Sequence, residues 1–135
     1  MPIYLWKPEY SVKIEIIDQQ HKKLLDAINV LHDAMKKGKG KEVLSEIFDK
    51  LSDYIATHFA TEEEFFAKYG YPELGAHKLE HDNFIKKIEE LKIRFHEGKT
   101  KSSVDLSVFL STWFHDHMLP TDKKYAKFLN EKGVY

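Results

Sequence analysis

Apolar residues recur every three or four positions in four segments of the chain, which places them on one face of an α-helix in each segment. The segments run from about residue 18 to 37, from about 41 to 69, from just after Pro72 to about 97, and from near 103 through Leu129. Glycine-containing stretches separate them at Gly38-Lys39-Gly40, Gly70-Tyr71-Pro72 and Gly98. These stretches predict turns within one fold.

Four helices joined by short turns favour an antiparallel up-down-up-down four-helix bundle, an all-α fold. We expect one domain over residues 1–135, with an irregular arm at 1–17 and the bundle at 18–135. Trp6 in the arm is available to pack on the bundle. A chain of 135 residues can bury a core of its own without disulfides.

Composition narrows the chemistry. The chain has no cysteine, so any metal must be held by nitrogen and oxygen ligands. Its net charge of −1, with basic residues scattered along the polar faces, disfavours nucleic acid or an anionic membrane as a partner. The first ten residues lack the basic start and apolar run of a secretory signal, and no stretch approaches the roughly 18 apolar residues of a membrane helix. We therefore expect a cytoplasmic protein.

Polar side chains replace apolar ones within the helical stripes at positions suited to metal binding. The candidates are His21, His58, Glu62, His77, His81, His117 and Asp122. They lie at the start of the first helix, the end of the second, the start of the third and the later half of the fourth. These four regions fall at the same end of an up-down bundle. The sequence therefore predicts that the seven side chains meet in space.

The number of candidate ligands indicates two metal ions. His58 and Glu62 are four residues apart, about 40° around a helix, and His77 and His81 repeat this spacing. Seven ligands exceed the four or so that a tetrahedral zinc site takes. Two six-coordinate ions sharing both carboxylates and one oxygen bridge would use about eleven of twelve positions, which leaves room for one small molecule. Iron suits this set, although imidazole and carboxylate also accept manganese or zinc.

The spacing between His117 and Asp122 does not fit a straight helix. Five residues turn an ideal helix by about 500°, which leaves the two side chains roughly 140° apart. Pro120 lies between them, and the apolar stripe shifts by one residue at the same place. We predict a proline kink or a π-bulge in this segment.

Four stretches of the chain resemble the hemerythrin family, and in particular its single-domain bacterial members. They are Ile17-Asp18-Gln19-Gln20-His21-Lys22, His58-Phe59-Ala60-Thr61-Glu62-Glu63, His77 to His81, and Trp113 to Tyr125. The resemblance implies that one iron is coordinatively full and the other has an open position. It assigns the full iron to His77, His81 and His117, the open iron to His21 and His58, and the bridges to Glu62 and Asp122.

The same resemblance implies the function. Two non-haem iron ions (Fe2+/Fe3+) with an oxo or hydroxo bridge would bind dioxygen reversibly, without enzymatic turnover. The protein would then be a carrier or store of dioxygen, or its supplier to an oxygen-consuming partner. The alternatives are a diiron enzyme or sensor that acts on nitric oxide, peroxide or O2 with the help of a reductant, and iron storage or sensing. The scarcity of carboxylates on the inner faces disfavours storage.

Several further residues receive weaker assignments. Candidates for an apolar lining of the site, which ordinary core packing explains equally well, are Leu24, Leu25, Phe59, Trp113 and Met118. Tyr125 is aligned with the site face, where it would either hydrogen-bond a ligand or pack. The histidines predicted to lie outside the cluster are His32, His96 and His115. Glu63 and Glu64 are out of register with His58, so we expect both to be solvated.

Overall fold

A computed structural model of the chain describes residues 5–98 and 102–135, apart from the side chain of Met118. The part described is helical and contains no β-strand. A short 3₁₀ turn at Pro8–Tyr10 precedes the first long helix. The α-helices are α1 (Glu15–Lys36), α2 (Gly40–Tyr54), α3 (Ala60–Tyr69), α4 (Leu74–His96), α5 (Ser102–Trp113) and α6 (Leu119–Glu131).

Two of the four rods in the bundle each consist of two α-helices joined by one π-helical turn. The turn at Ile55–Phe59 connects α2 to α3, and the turn at Phe114–Met118 connects α5 to α6. With α1 and α4, these rods form a four-helix bundle, which confirms the predicted all-α fold. Glycines end the helices where the sequence predicts turns: Gly70, for example, follows α3 with φ of +70°, a left-handed conformation that glycine adopts without steric cost.

The first helix begins at Glu15, three residues before the predicted start at Asp18. Asp18 does not cap the helix. Its carboxylate accepts hydrogen bonds from the Val12 backbone N–H, at 2.8 Å, and from the Ser11 hydroxyl. The prediction was wrong at this boundary because Asp18 ties the preceding arm to the helix from within the first turn. Trp6 packs edge-on against Tyr10, as expected for an arm that lies on the bundle.

The core consists of two separate apolar clusters. The large apolar cluster draws mainly on α1, α2, α4 and α5, and its fully buried members include Ile28, Leu31, Ile47, Phe48 and Leu91. The small apolar cluster joins the arm to the helix ends at the other side of the predicted site. It comprises Val12, Ile14, Ile17, Phe66, Tyr71, Tyr125, Ala126 and Leu129. The two clusters leave a polar layer between them.

The start of α2 packs closely against the end of α1, at the end of the large cluster that lies away from the polar layer. A Cβ built on Gly40 would lie 2.9 Å from Met35 Cγ and 3.1 Å from Ser103 Cβ, so a larger residue would force these neighbours apart. Among the described residues, no helix is long and apolar enough to cross a membrane.

Candidate metal centre

The structure brings all seven predicted ligand side chains into the polar layer, where each is buried. Their potential ligand atoms form two groups, and within each group these atoms lie within 4.8 Å of one another. One group contains three histidines and a carboxylate: Glu62, His77, His81 and His117. The other contains two histidines and a carboxylate: His21, His58 and Asp122. We refer to them by their imidazoles, as the three-histidine half and the two-histidine half.

Asp122 contacts both halves, because each of its two carboxylate oxygens lies beside a different half. Its Oδ2 lies 2.8 Å from His21 Nε2 and 4.0 Å from His58 Nε2. Its Oδ1 lies 3.3 Å from His117 Nε2 and 3.8 Å from His77 Nε2. A carboxylate with one oxygen toward each half has the arrangement that a bridge between two metal ions requires.

Glu62 also reaches both halves. Its Oε1 lies 2.9 Å from His58 Nε2 and 3.0 Å from His81 Nε2, and its Oε2 lies 3.5 Å from His77 Nε2. The two carboxylates therefore lie between the three-histidine half and the two-histidine half. Every imidazole Nε2 in the cluster lies within 4.0 Å of a carboxylate oxygen.

The π-helical turn at Phe114–Met118 places His117 and Asp122 on the same side of their rod. A π turn closes with a hydrogen bond between residues five apart, so it brings side chains with that spacing onto nearly one face. Pro120, which cannot donate a backbone hydrogen bond, follows in the first turn of α6. The predicted interruption of regular α-helix is confirmed. The corresponding turn at Ile55–Phe59, which contains His58, was not predicted, because an i, i+4 pair needs no such turn.

Many buried polar atoms in the layer lack hydrogen-bond partners among the described residues. They include Nε2 of His21, His58, His77 and His117, Oε2 of Glu62, and both carboxylate oxygens of Asp122. Two of these atoms, His21 Nε2 and Asp122 Oδ2, lie 2.8 Å apart, but their orientation does not make a hydrogen bond. Unsatisfied buried polar groups are costly. Nitrogen and oxygen lone pairs directed at shared centres are what metal ions satisfy, so the residues present fit a metal centre.

The charges of the layer are coupled. Burial alone would raise the pKa of Glu62, but His58, His77 and His81 outweigh it and hold this pKa well below the usual range. Burial and Glu62 both act to raise the pKa of Asp122, and His117 and His21 reverse that effect. Burial lowers the pKa of His58. The pKa of Glu62 and of Asp122 thus favours the charged carboxylate, the form that binds metal.

Outer hydrogen bonds orient three of the imidazoles. The Nδ1 of His58 lies 2.8 Å from Gln20 Oε1, the Nδ1 of His81 lies 3.2 Å from Glu63 Oε2, and the Nδ1 of His117 lies 2.7 Å from Glu80 Oε2. Because an amide or carboxylate oxygen accepts a proton from N–H, each contact favours the tautomer with its proton on Nδ1, in which the Nε2 lone pair can bind a metal. This is the usual outer arrangement of metal-binding histidines. The Nε2 of His81 also lies 3.0 Å from Glu62 Oε1.

These outer partners correct one prediction and add two residues. Glu63 is not simply solvated: it is half-buried and is the hydrogen-bond acceptor for His81. Glu80 and Gln20 received no role from the sequence. A signal was present, because Glu63, Glu80 and Gln20 each directly precede or follow a ligand in the chain, at the polar edge of its stripe. Glu64 is exposed, as expected.

Aromatic rings cover the imidazoles on the side of the large apolar cluster. Phe59 stacks on His81 with ring centroids 3.8 Å apart, and Trp113 stacks on His117 at 3.9 Å. Leu24 and Leu25 are buried in the same cluster. The fifth lining candidate, the Met118 side chain, lies outside the described residues.

Two tyrosines reach the layer from opposite sides. Tyr54, which had no predicted role in the site, stacks on His58 at 4.8 Å. Tyr125 meets His77 edge-on at 5.5 Å, and its hydroxyl is close enough to Glu62 for a hydrogen bond to contribute to its raised pKa, so the two predicted roles, packing and hydrogen bonding, both stay predictions. Burial, together with Asp122 and Glu62, raises the pKa of both tyrosines well above the usual range, so their hydroxyls stay protonated.

The three remaining histidines belong to neither ligand group among the described residues. His96 and His115 are exposed, and His32 is half-buried. Their predicted separation from the cluster is confirmed. The clustering of the other five is therefore selective.

A buried cluster of five histidines and two carboxylates in a four-helix bundle is typical of helical proteins that bind metal ions. Comparison with known proteins shows the family to which this chain belongs. Residues 12–129 match the hemerythrin HHE cation binding domain. The chain belongs to the hemerythrin family. It is 36% identical over 126 residues to bacteriohemerythrin from Stenotrophomonas maltophilia (strain R551-3), covering 93% of this chain and 81% of that one.

Two further comparisons agree. Bacteriohemerythrin from Methylococcus capsulatus (strain Bath) is 33% identical over 131 residues, covering 96% of this chain and 99% of its own. A crystal structure of a hemerythrin mutant superposes with a TM-score of 0.83 at 32% identity, covering 94% of this chain and 97% of the other. The resemblance inferred from four short stretches thus extends over nearly the whole chain.

Proposed function

We propose that this protein binds two non-haem iron ions with an oxo or hydroxo bridge and uses them to bind dioxygen reversibly. The observation that carries the proposal is the division of the imidazoles into groups of three and two, with both carboxylates between the groups. With this unequal division, one ion would have more of its coordination positions occupied by protein ligands than the other. The less filled ion retains a position for a small molecule.

The seven side chains would coordinate the two irons as follows. His77, His81 and His117 hold one iron, His21 and His58 hold the other, and Glu62 and Asp122 bridge them. When bound, the iron pair supplies the electrons that make dioxygen binding possible. The protein contributes the ligands, their orientation and a surrounding that limits side reactions.

The side chains around the layer suit reversible binding. Phe59, Trp113 and Tyr54 stack on imidazoles and cover them on one side, and Phe66 packs against His77 on the other, at 4.8 Å. Apolar side chains on both sides restrict water and prevent two diiron centres from approaching each other. Such surroundings favour release of dioxygen over irreversible oxidation of the metal. The proposed role is a carrier, store or supplier of dioxygen to an oxygen-consuming partner.

An anaerobic optical titration tests this proposal. Reduced, iron-loaded protein is titrated with O2 and then deoxygenated. We expect uptake of about one O2 per pair of irons, with a visible absorption band that appears on oxygenation and disappears when O2 is removed. The His58→Ala variant should lose the band, whereas His115→Ala, which changes an exposed histidine outside the cluster, should retain it.

Two outcomes would contradict the proposal. Binding of fewer than two irons would exclude the dinuclear centre. Catalytic consumption of O2, peroxide or nitric oxide under continuous supply of a reductant, without the reversible band, would favour a diiron enzyme or sensor instead.

A further inference from the structure

The outer hydrogen-bond acceptors differ between the two halves of the site. In the three-histidine half, His81 and His117 donate their Nδ1 protons to the carboxylates of Glu63 and Glu80. In the two-histidine half, His58 donates to the amide oxygen of Gln20. The acceptors on one side therefore carry a formal negative charge, and the acceptor on the other side is neutral.

The orientation of the Gln20 amide is fixed by a relay of hydrogen bonds. The Thr61 hydroxyl donates its only proton to the Thr57 carbonyl, at 2.7 Å. The hydroxyl oxygen is then free to accept from Gln20 Nε2, at 3.1 Å. This leaves Gln20 Oε1 to face His58, so His58 must carry its proton on Nδ1 and direct the Nε2 lone pair into the cluster.

The identity of the acceptor affects the metal that an imidazole would hold. An imidazole that donates to a carboxylate is a more basic ligand than one that donates to a neutral amide, because the negative charge draws the Nδ1 proton away from the ring. More basic ligands favour the ferric over the ferrous state of iron. Solvent screens part of this effect, since the side chains of Glu63 and Glu80 are 31% and 46% exposed.

We propose that Gln20 is a positioning residue that holds His58 in one tautomer while its neutral amide keeps the two-histidine half harder to oxidise than the three-histidine half. The inference rests on the proposed function, because it concerns iron held by these imidazoles. Its consequence is that iron in the two-histidine half resists loss of an electron, which slows conversion of the protein to an oxidised form that cannot take up dioxygen.

A redox titration of iron-loaded variants tests the proposal. In Gln20→Glu the acceptor becomes a carboxylate of almost the same shape, and in Glu80→Gln a carboxylate becomes an amide. The matched control is Gln19→Glu, which adds the same charge at the neighbouring exposed position, where the Gln19 amide donates a hydrogen bond to the Glu15 side chain. Iron content and midpoint potentials are measured anaerobically, with a mediator accepting one electron from each ferrous ion oxidised.

Gln20→Glu should lower the potential of one iron and Glu80→Gln should raise a potential, each by about a tenfold change in the ferric to ferrous ratio. This corresponds to ~59 mV for a one-electron couple. Gln20→Glu should also accelerate oxidation of the reduced protein in air. Gln19→Glu should leave potentials and oxidation rate at the wild-type values.

Equal shifts in Gln20→Glu and Gln19→Glu, or no rise in Glu80→Gln, would overturn the inference. If Gln20→Glu fails to retain iron, Glu80→Gln and Glu63→Gln still decide the matter, since both must raise a potential. The wild-type protein separates this test from the proposed function. A wild-type protein that binds two irons and dioxygen, with variants that do not shift as expected, contradicts only the role of Gln20.

Discussion

The two apolar clusters differ in what they contribute to the protein. The large cluster packs α1, α2, α4 and α5 against one another, and it extends from Phe48, which packs on Phe95, to Phe59 and Trp113, which stack on imidazoles of the polar layer. The small cluster consists of the arm and helix ends, and its rings Phe66 and Tyr125 lie directly against His77. The comparison indicates that the large cluster stabilises the fold and also covers the site on one side, whereas the small cluster mainly covers the site on the other side.

Neither cluster alone could accommodate the polar layer. Seven buried ionisable groups cost free energy unless they are paired, hydrogen-bonded or bound to metal. The apolar clusters on both sides supply the stabilisation that keeps this layer folded and dry. The site therefore lies between two apolar clusters that pack the helices together on either side of it.

The largest effect should follow from a change in the large cluster. Replacing Phe48, which is fully buried, with alanine should reduce the free energy of unfolding by about 3–5 kcal/mol. Because Phe48 lies away from the ligands, the loss should be similar in metal-free and iron-loaded protein. Denaturant unfolding of both forms measures it, with Val108→Ala, at an exposed position, as the control. A loss confined to iron-loaded protein would contradict the division of roles.

A change in the small cluster should affect the site as well as the fold. Ile17→Ala removes a fully buried side chain and should cost about 2–5 kcal/mol. It should also speed the release of iron to a chelator, because the seal over the ligands is loosened. Release rates of Ile17→Ala and Phe48→Ala are compared at conditions where both remain folded. If the two variants release iron equally fast, the small cluster has no special sealing role.

Acid should weaken the metal-free protein through the two buried carboxylates. Their folded-state pKa values lie below the ordinary values of 4.5 for Glu62 and 3.8 for Asp122. A lowered pKa stabilises the fold above the unfolded value, and that contribution is lost as the pH falls through the folded value. Urea unfolding between about pH 7 and about pH 3 should therefore show a steeper decline below pH 4.5 in wild type than in Glu62→Gln. Parallel curves would show that the Glu62 charge contributes nothing.

The smallest effect should come from the surface. Arg94 lies 3.0 Å from Glu90 and 3.9 Å from Asp105, and all three side chains are more than 40% exposed. Arg94→Ala should change the free energy of unfolding by about 0.2–1 kcal/mol, since water screens exposed ion pairs. Thermal or denaturant unfolding with and without added salt checks this. A loss as large as that of Ile17→Ala would mean that surface charge matters as much as burial.

Periodicity was sufficient to predict the bundle and the location of the site. The stripes containing His58 and His77 indicated candidate ligands because a buried helix face has few reasons to carry an imidazole. The shift of phase between His117 and Asp122 predicted a proline kink or a π-bulge, and the structure has a π-helical turn there. These features depend on the position of a residue along one helix, which the sequence displays directly.

Features that depend on contacts between helices were missed. Glu80 accepts from His117, which is 37 residues away, and Gln20 accepts from His58, 38 residues away. Whether two such residues meet depends on the relative register of their helices. The periodicity of apolar residues within one helix carries no information about that register. The start of α1 was misplaced for a related reason, because Asp18 bonds to the arm and does not cap the helix.

The most direct test of the proposed centre is a crystal structure of iron-loaded protein with anomalous diffraction data collected at the iron absorption edge. The account predicts two iron peaks, one among His77, His81 and His117 and the other beside His21 and His58, with Glu62 and Asp122 between them. A single peak, or peaks away from these side chains, would contradict it.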